Sequence, residues 1–388
     1  MIDRVGHPIS LSLFPSPHPG EQALGAGLRE LCCFYSTKLS YEDVTTLVKT
    51  VTGMPLVCDQ SIWNMVQDKA RGISQRIYDA MREGQTILPP IEAKVDVYST
   101  APEVLLYCDG ILVTRQRQKR NKKCEGNGQD GTEKQDDTEK QDDTEKPLRC
   151  QRAPGSKQSA SGRVTTDVMM VQRHDGGFQY LTSGIGVVDA KGVADQKGSH
   201  LCNVTRTFLC QEYGDRTVPL NLVALTDGAS SIRSQFDAIF GGPITVILDW
   251  FHLCKKVREK LTMIARNKDE KRTHLKRLAA LLWHGSVGEA IDYLRTQVAV
   301  RNAKVMDELV YYLTKHADEI INYEKRRAAG KKVGSGRMEK GVDLVVGQRQ
   351  KQKAMSWSDA GSHALAILQV ALLNGEWAPF PVIQGITA

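Results

Sequence analysis

Between Asn221 and Lys256 the chain reads NLVALTDGASSIRSQFDAIFGGPITVILDWFHLCKK, and the punctuation of this stretch decides the fold. Val223 to Thr226 is a short apolar, β-branched run that stops at Asp227, and Ile244 to Leu248 is a second run that stops at Asp249. Between them Ile232, Phe236 and Ile239 or Phe240 fall at the spacing of one helical face, closed by Gly241-Gly242-Pro243. The pattern predicts a β-α-β unit with parallel strands and a right-handed connection. Ligands of open α/β sheets bind beyond the carboxyl ends of strands, so an aspartate at such an end is a candidate site residue.

Working outward, Glu103 to Cys108 (EVLLYC) predicts a strand that finishes at Asp109-Gly110, with Ile111 to Thr114 extending beyond it. Val164 to Gln172 and Ile185 to Asp189 are expected to follow as strands, completing an antiparallel meander. A helix over His200 to Tyr213, with Leu201, Val204, Phe208 and Leu209 inward, leads into the β-α-β unit. The order is then β-β-β-α-β-α-β. After Trp250 the pattern is helical, with a stripe at Leu294, Val298, Val305, Leu309, Tyr312 and Ile320 running through Tyr323. Gly330 to Gly336 interrupts it, and Arg337 to Lys353 is expected to restart as a helix that buries Met338, Val342, Val345 and Val346.

The N-terminal region begins with Met1 to Gly25, which is rich in proline and glycine and is expected to be extended and partly mobile. A helix is predicted from Leu28 to Tyr35. Ser40 with Asp43 then resembles a capping box for a helix that buries Val44, Leu47, Val48 and Val51. Gly53-Met54-Pro55 turns the chain into another helix, opened by Asp59 or Ser61, passing Trp63, Met65 and Val66 to Ala70 and continuing to Gly84. Two helices joined this way fit a DNA-binding helix-turn-helix, and they fit plain helical packing as well. Gln116 to Gly162 differs in kind. It carries the repeat TEKQDD-TEKQDD-TEK from Thr132 to Lys146 and has too little apolar surface to offset ordering, so disorder is expected. The expected organisation is an N-terminal helical domain over 1–95, a catalytic domain over 101–254 and 333–377 with the 116–162 insertion, and an α-helical insertion over 255–332.

A formal charge of +7 understates the basic surface, because Lys122 to Lys146 holds five Lys against nine Asp or Glu, leaving about +11 for the remainder. Lys255 to Arg277 has ten basic residues against three acidic, and Lys325 to Lys353 has ten against two. Either cluster alone reads as a solvated helix face; two of them flanking carboxylates match the footprint of a phosphate-backbone binder. Nine cysteines, odd in number and without CxxC spacing, suggest neither a disulfide framework nor a cysteine zinc site. The absence of an apolar run of ~18 residues and of a signal-peptide core leads to the expectation of a cytoplasmic protein with no membrane partner.

Asp109 and Asp227 are turn residues before glycine and, taken singly, need no further explanation. The strand order, antiparallel first and parallel last, is that of a mixed five-stranded ribonuclease H-like sheet with helices on both faces. There, the strands bearing Asp109 and Asp227 lie side by side, and a late helical acid can complete the site. Glu339, in GSGRMEKG, follows a glycine loop and opens its helix, where the helix dipole favours a carboxylate. Three converging carboxylates suit two Mg²⁺ or Mn²⁺ ions and in-line displacement at phosphorus. Asp249 and His252 form a DxxH pair that either braces the site or acts beside the metals; two residues do not make a zinc site. Phosphate contacts are expected from Lys255, Lys256, Arg258, Arg337, Arg349, Lys351 and Lys353. Trp357 fits a base-stacking role less well than a place in the core.

In combination, YCDG, LTDGASSIR, LDWFHLCKK and GSGRMEKGVDLVVGQRQKQKAMSWS resemble, in that order, DDE transposases of the ISKra-type insertion-sequence group in the Mutator-like branch. The resemblance runs from Glu103 to about Trp377, and its last motif is the most specific. It implies a ribonuclease H-like core with an α-helical insertion before the catalytic glutamate, and catalysis by Asp109, Asp227 and Glu339. It also implies that Asp249 and His252 form the branch's C/DxxH motif, with Asp249 as second acid the alternative. The expected activity is metal-dependent cleavage of double-stranded DNA at element ends followed by 3′-OH strand transfer into target DNA, by a homo-oligomer in a bacterial cytoplasm at the nucleoid. Two other expectations remain open: a domesticated, inactive DNA-binding descendant, and a nuclease of the same fold that cuts without joining.

Overall fold

The computed structural model describes residues 25–84, 87–116, 162–195, 200–299 and 301–377. The expectations of a mobile N-terminus and a disordered acidic repeat fall almost wholly outside these residues. Three helices come first, α1 (Ala26–Ser36), α2 (Tyr41–Thr52) and α3 (Asp59–Glu83). The sheet follows as β1 (Val104–Thr114), β2 (Arg163–Gln172), β3 (Phe178–Thr182), α4 (Leu201–Tyr213), β4 (Leu222–Thr226), α5 (Ser230–Phe240) and β5 (Thr245–Leu248). Five helices then succeed one another: α6 (Trp250–Ile264), α7 (Lys268–Trp283), α8 (Val287–Gln297), α9 (Ala303–Lys315) and α10 (Tyr323–Ala328). The chain closes with α11 (Gly336–Val342), a π-helical turn (Asp343–Gly347), α12 (Gln348–Gln350) and α13 (Asp359–Leu373). Among the described residues no helix is long and apolar enough to cross a membrane.

The sheet is mixed and runs β3-β2-β1-β4-β5, antiparallel across the first three strands and parallel from β1 through β4 to β5. Alternation along β1 divides the core. Leu105, Tyr107, Ile111 and Val113 face one apolar cluster, which continues into α6, α13 and the N-terminal helices. Leu106 and Cys108 face the other, which they share with Leu201, Leu209, Ile232 and Phe236 of α4 and α5. Helices therefore cover both faces of an α/β sheet.

Local rules explain most elements. Ser40 accepts from the Asp43 N–H at 3.0 Å while Asp43 Oδ2 accepts from the Ser40 N–H at 3.3 Å, a complete capping box, and α2 ends at Gly53 with φ +73°. Its buried face is narrower than the spacing predicts: Val44 and Val48 are buried, while Val51 is 73% exposed at the last turn. Helix α3 packs along α13, where Gln67 Nε2 donates to the Ala360 carbonyl at 3.3 Å.

Two expectations are corrected. The third strand is Phe178–Thr182, not Ile185 to Asp189. The turn Asp175-Gly176-Gly177, with Gly176 at φ +83° and Asp175 Oδ1 accepting from the Gly177 N–H at 2.7 Å, reverses the chain directly after β2. Residues 185–189 run irregularly beside α3. Ser74 accepts from the Ile185 N–H, and the Gln75 amide takes both backbone groups of Val188 at 2.9 Å, so side chains supply what a strand ladder would. Secondly, the terminal helix expected over Arg337 to Lys353 is interrupted by the π-helical turn, where the Gln348 N–H reaches the Asp343 carbonyl five residues back, and it stops at Gln350. Met338, Val342, Val345 and Val346 are all buried as predicted.

Candidate active site

Asp109 is not the terminal residue of its strand, as the sequence suggested, because β1 continues to Thr114 against β2. The parallel pairing with β4, however, ends at Tyr107 opposite Leu225. Continuing that register by two residues sets Asp109 against Asp227, the first residue beyond β4, so the two aspartates share one end of the sheet and one face. Asp227 opens a tight turn: its Oδ1 accepts from the Ala229 N–H at 2.8 Å and Gly228 takes φ +83°. Asp109 accepts from the N–H of Gly110 at 2.7 Å.

Glu339 enters this face from above. Helix α11 packs over β1 and β2 so closely that a Cβ on Gly341 would come within 3.2 Å of Tyr180 Cε1 and closer still to Met170 Sδ. The Glu339 side chain is exposed and, among the described residues, makes no hydrogen bond or ion pair. Burial raises the Asp109 carboxyl above its ordinary pKa, and the negative charges of Asp227 and Glu339 push the same way, against the Gly110 N–H and His252. No Lys or Arg among the described residues forms an ion pair with any of the three.

Asp249 is built differently. It is 1% exposed, caps α6 by accepting from the His252 N–H at 2.7 Å, and accepts through Oδ2 from the Ser335 N–H of the glycine loop. Burial pushes its carboxyl up, but the bonds from His252 and Ser335 outweigh that and hold it below the usual carboxylate range. His252 Nδ1 lies 3.2 Å from Asp249 Oδ1 at an angle that makes an ion contact rather than a hydrogen bond. Asp249 raises the imidazole's pKa despite partial burial, and Asp227 and Glu339 add to the effect. Asp249 thus ties the start of α6 to the loop that delivers Glu339, in the position of a brace.

In kind, the donors suit a hard divalent cation: carboxylate oxygens with no Lys or Arg among the described residues paired to them. In spacing, no three His, Cys, Asp or Glu side chains among the described residues stand in an arrangement that could hold a metal ion. Glu339, on the first turn after Gly334-Ser335-Gly336, is the most exposed of the three acids.

Of the expected phosphate contacts, Lys255, Lys256 and Arg258 are exposed on α6, Lys351 and Lys353 are exposed after α12, and Arg337 is exposed with its guanidinium 4.6 Å from the Phe178 ring centroid. Arg349 is a correction. It is 6% exposed, its Nε donates to the Ser36 carbonyl at 2.8 Å, and its guanidinium lies between the Tyr41 and Trp357 rings, so it fastens α12 to α1 and cannot reach a phosphate. Trp357 is also core, with its indole N–H on the Gln350 carbonyl at 2.9 Å. The sequence reading missed a cleft of about 500 Å³ beside the glycine loop, lined by Tyr107, Phe251, Arg327, Lys331, Lys332 and Arg337. Phe251 is 64% exposed there. An aromatic inside the DxxH motif, next to a cluster already noted as basic, was the signal available. Another cavity, about 270 Å³ between α3, β3, α4 and α13, is lined largely by apolar groups such as Ile77, Leu181 and Phe208 and holds none of these acids.

No model of a known protein family matches this chain, and no curated protein sequence matches it.

Proposed function

We propose that the chain is a DDE-type transposase with a ribonuclease H-like catalytic core, which cuts double-stranded DNA at the ends of a mobile element and joins the freed 3′-hydroxyl to target DNA. The observation that supports this most is the placing of Asp109 and Asp227 at one end and on one face of the sheet, where the charge of Glu339 also acts on Asp109. Asp109, Asp227 and Glu339 are the residues that would hold two Mg²⁺ or Mn²⁺ ions. When bound, such ions supply charge neutralisation at the phosphorus under attack and lower the cost of forming the attacking oxyanion.

The protein's own groups do the rest. Lys255, Lys256 and Arg258 on α6, Arg337 on α11, and Lys351 and Lys353 hold phosphates on either side of the acids and fix the strand in line for displacement. Asp249 and His252 keep the glycine loop docked, so that Glu339 is presented from a defined turn. Water is the nucleophile in the cutting step; in the joining step, the new 3′-hydroxyl attacks target DNA, and two copies of the chain on paired ends bring the two DNAs together.

A second reading, DNA binding without catalysis, is favoured by the open spacing of the acids. The test is incubation of the full chain with Mg²⁺ or Mn²⁺ and duplex DNA carrying the inverted repeats that flank its reading frame. Cleavage followed by strand joining is expected. Cleavage alone points to a nuclease, and binding alone in both metals refutes the proposal.

A further inference from the structure

We infer that Arg233, His316 and Glu319 form a positioning device through which the helical segment preceding α10 holds the Asp227 turn; this rests on the reading of Asp227 as a working acid. The three groups close a triangle. His316 Nδ1 lies 2.7 Å from Glu319 Oε2 and 2.9 Å from Arg233 Nη2, and the same Nη2, reaching from α5, lies 2.6 Å from Glu319 Oε1. His316 is 2% exposed at the end of α9, and its ring packs 4.6 Å from that of Tyr312. Facing the triangle from the sheet is the turn itself: a Cβ on Gly228 would lie 2.7 Å from His316 Cε1 and 2.8 Å from Leu248 Cδ1. The imidazole fills the space beside Gly228 that a side chain would take.

The same device reaches the second acidic turn. The Glu319 carbonyl accepts from the Leu248 N–H at 3.0 Å, and the next amide, that of Asp249, donates to the Thr226 carbonyl at 2.8 Å. Tyr323 Oη donates to the Leu248 carbonyl at 2.8 Å. One corner of the helical segment therefore grips the strand ends that present Asp227 and Asp249, while Arg233 anchors it to the helix that leaves the Asp227 turn. The Arg233 side chain is 36% exposed, but the Glu319 side chain is only 11% exposed, and a carboxylate so placed is a costly way to pack a corner, since well-fitted apolar residues commonly do it as well or better. What the charges add is a fixed direction. Arg233 and Glu319 set the rotation of the His316 ring, and the ring leaves Gly228 a single arrangement, with Asp227 Oδ1 on the Ala229 N–H.

The test uses the full chain, wild type and Glu319→Gln, with Arg233→Lys as a charge-conserving second variant in case the first does not fold. Hydrogen exchange is followed at the Gly228 and Ala229 amides and, as an internal reference, at Val223 to Leu225 of β4; Mn²⁺ binding is measured alongside by calorimetry. Loss of the triangle is expected to speed exchange at 228 and 229 about tenfold while β4 changes less than about twofold, and to weaken Mn²⁺ binding about tenfold. Arg233→Lys is expected to show the same local effect in smaller degree. Exchange at 228 and 229 that is unchanged, or that rises only in step with β4, overturns the inference. A wild-type chain that binds no Mn²⁺ overturns the metal-dependent reading instead, and the exchange comparison still decides the positioning role.

Discussion

Replacing Arg326 with methionine probes the join between the sheet and the segment that delivers Glu339. Arg326 has no exposed surface. Its Nε donates to the Lys332 carbonyl at 2.6 Å, Nη1 to the Val97 carbonyl and to Glu103 Oε2, both at 3.1 Å, and Nη2 to Glu103 Oε1 at 2.5 Å. Methionine keeps most of the volume and removes all four bonds. Glu103 is then left in the interior with Lys331 Nζ at 3.0 Å as its partner, and the two carbonyls lose their donor. Breaking one side of a buried pair costs about 3–5 kcal/mol, and each stranded acceptor about 1–3 kcal/mol. Because Lys331 remains and relaxation recovers part of the rest, the expected loss is about 3–4 kcal/mol. The assay is urea unfolding at neutral pH, comparing wild type, Arg326→Met, Glu103→Leu and the double variant. The double variant, with both charges gone, is expected to recover at least about half of the single variant's loss, since an apolar substitute for a whole buried pair is often neutral. A single variant that loses less than about 1 kcal/mol, or a double variant that adds both losses in full, would refute the reasoning.

Gly228→Ala should cost stability through its φ of +83° and the contacts its Cβ makes with His316 and Leu248, and should abolish metal-dependent cleavage; near wild-type activity counts against a rigid Asp227 turn. Asp109→Asn should raise the melting temperature of the metal-free protein at pH 7: a carboxyl whose folded pKa is raised costs stability as pH climbs from its ordinary value through the raised one. The gain should vanish only well below the ordinary pKa of 3.8, where the wild-type acid is protonated in both states, and a lower melting temperature at pH 7 contradicts this sign. Asp249→Ala should lose about 1–2 kcal/mol by uncapping α6, and should free the Ser335 amide to exchange faster; protection of that amide equal to wild type would show that Asp249 does not dock the loop. Replacing Lys255, Lys256 and Arg258 together by alanine should flatten the dependence of DNA affinity on salt by up to about three phosphate contacts, and an unchanged slope places the DNA elsewhere.

The parallel β4-α5-β5 unit, the caps at Ser40 and Asp249, the break at residues 330–336 and the buried faces of α4 and α11 follow from short-range rules. Period, turn chemistry and capping act within a few residues, so the sequence carries them openly. Asp109, Asp227, Asp249 and Glu339 stood out for the same reason, each next to a strand end or a glycine turn. Where a rule pointed the wrong way, a nearer signal had been passed over: Asp175-Gly176-Gly177 turns the chain at once, which moves β3 upstream of the apolar run at 185–189. What only the tertiary structure decided were the fates of long side chains. Arg349 and Lys351 lie in one basic run, yet Arg349 is sealed between Tyr41 and Trp357 with its Nε on the Ser36 carbonyl, whereas Lys351, one residue past α12, is exposed. Arg326 with Glu103, and Arg233 with His316 and Glu319, are partners separated by up to hundreds of positions, and no local pattern encodes such a meeting. Composition announces a charge, but its price in desolvation, and therefore its role, is set by which distant elements close over it.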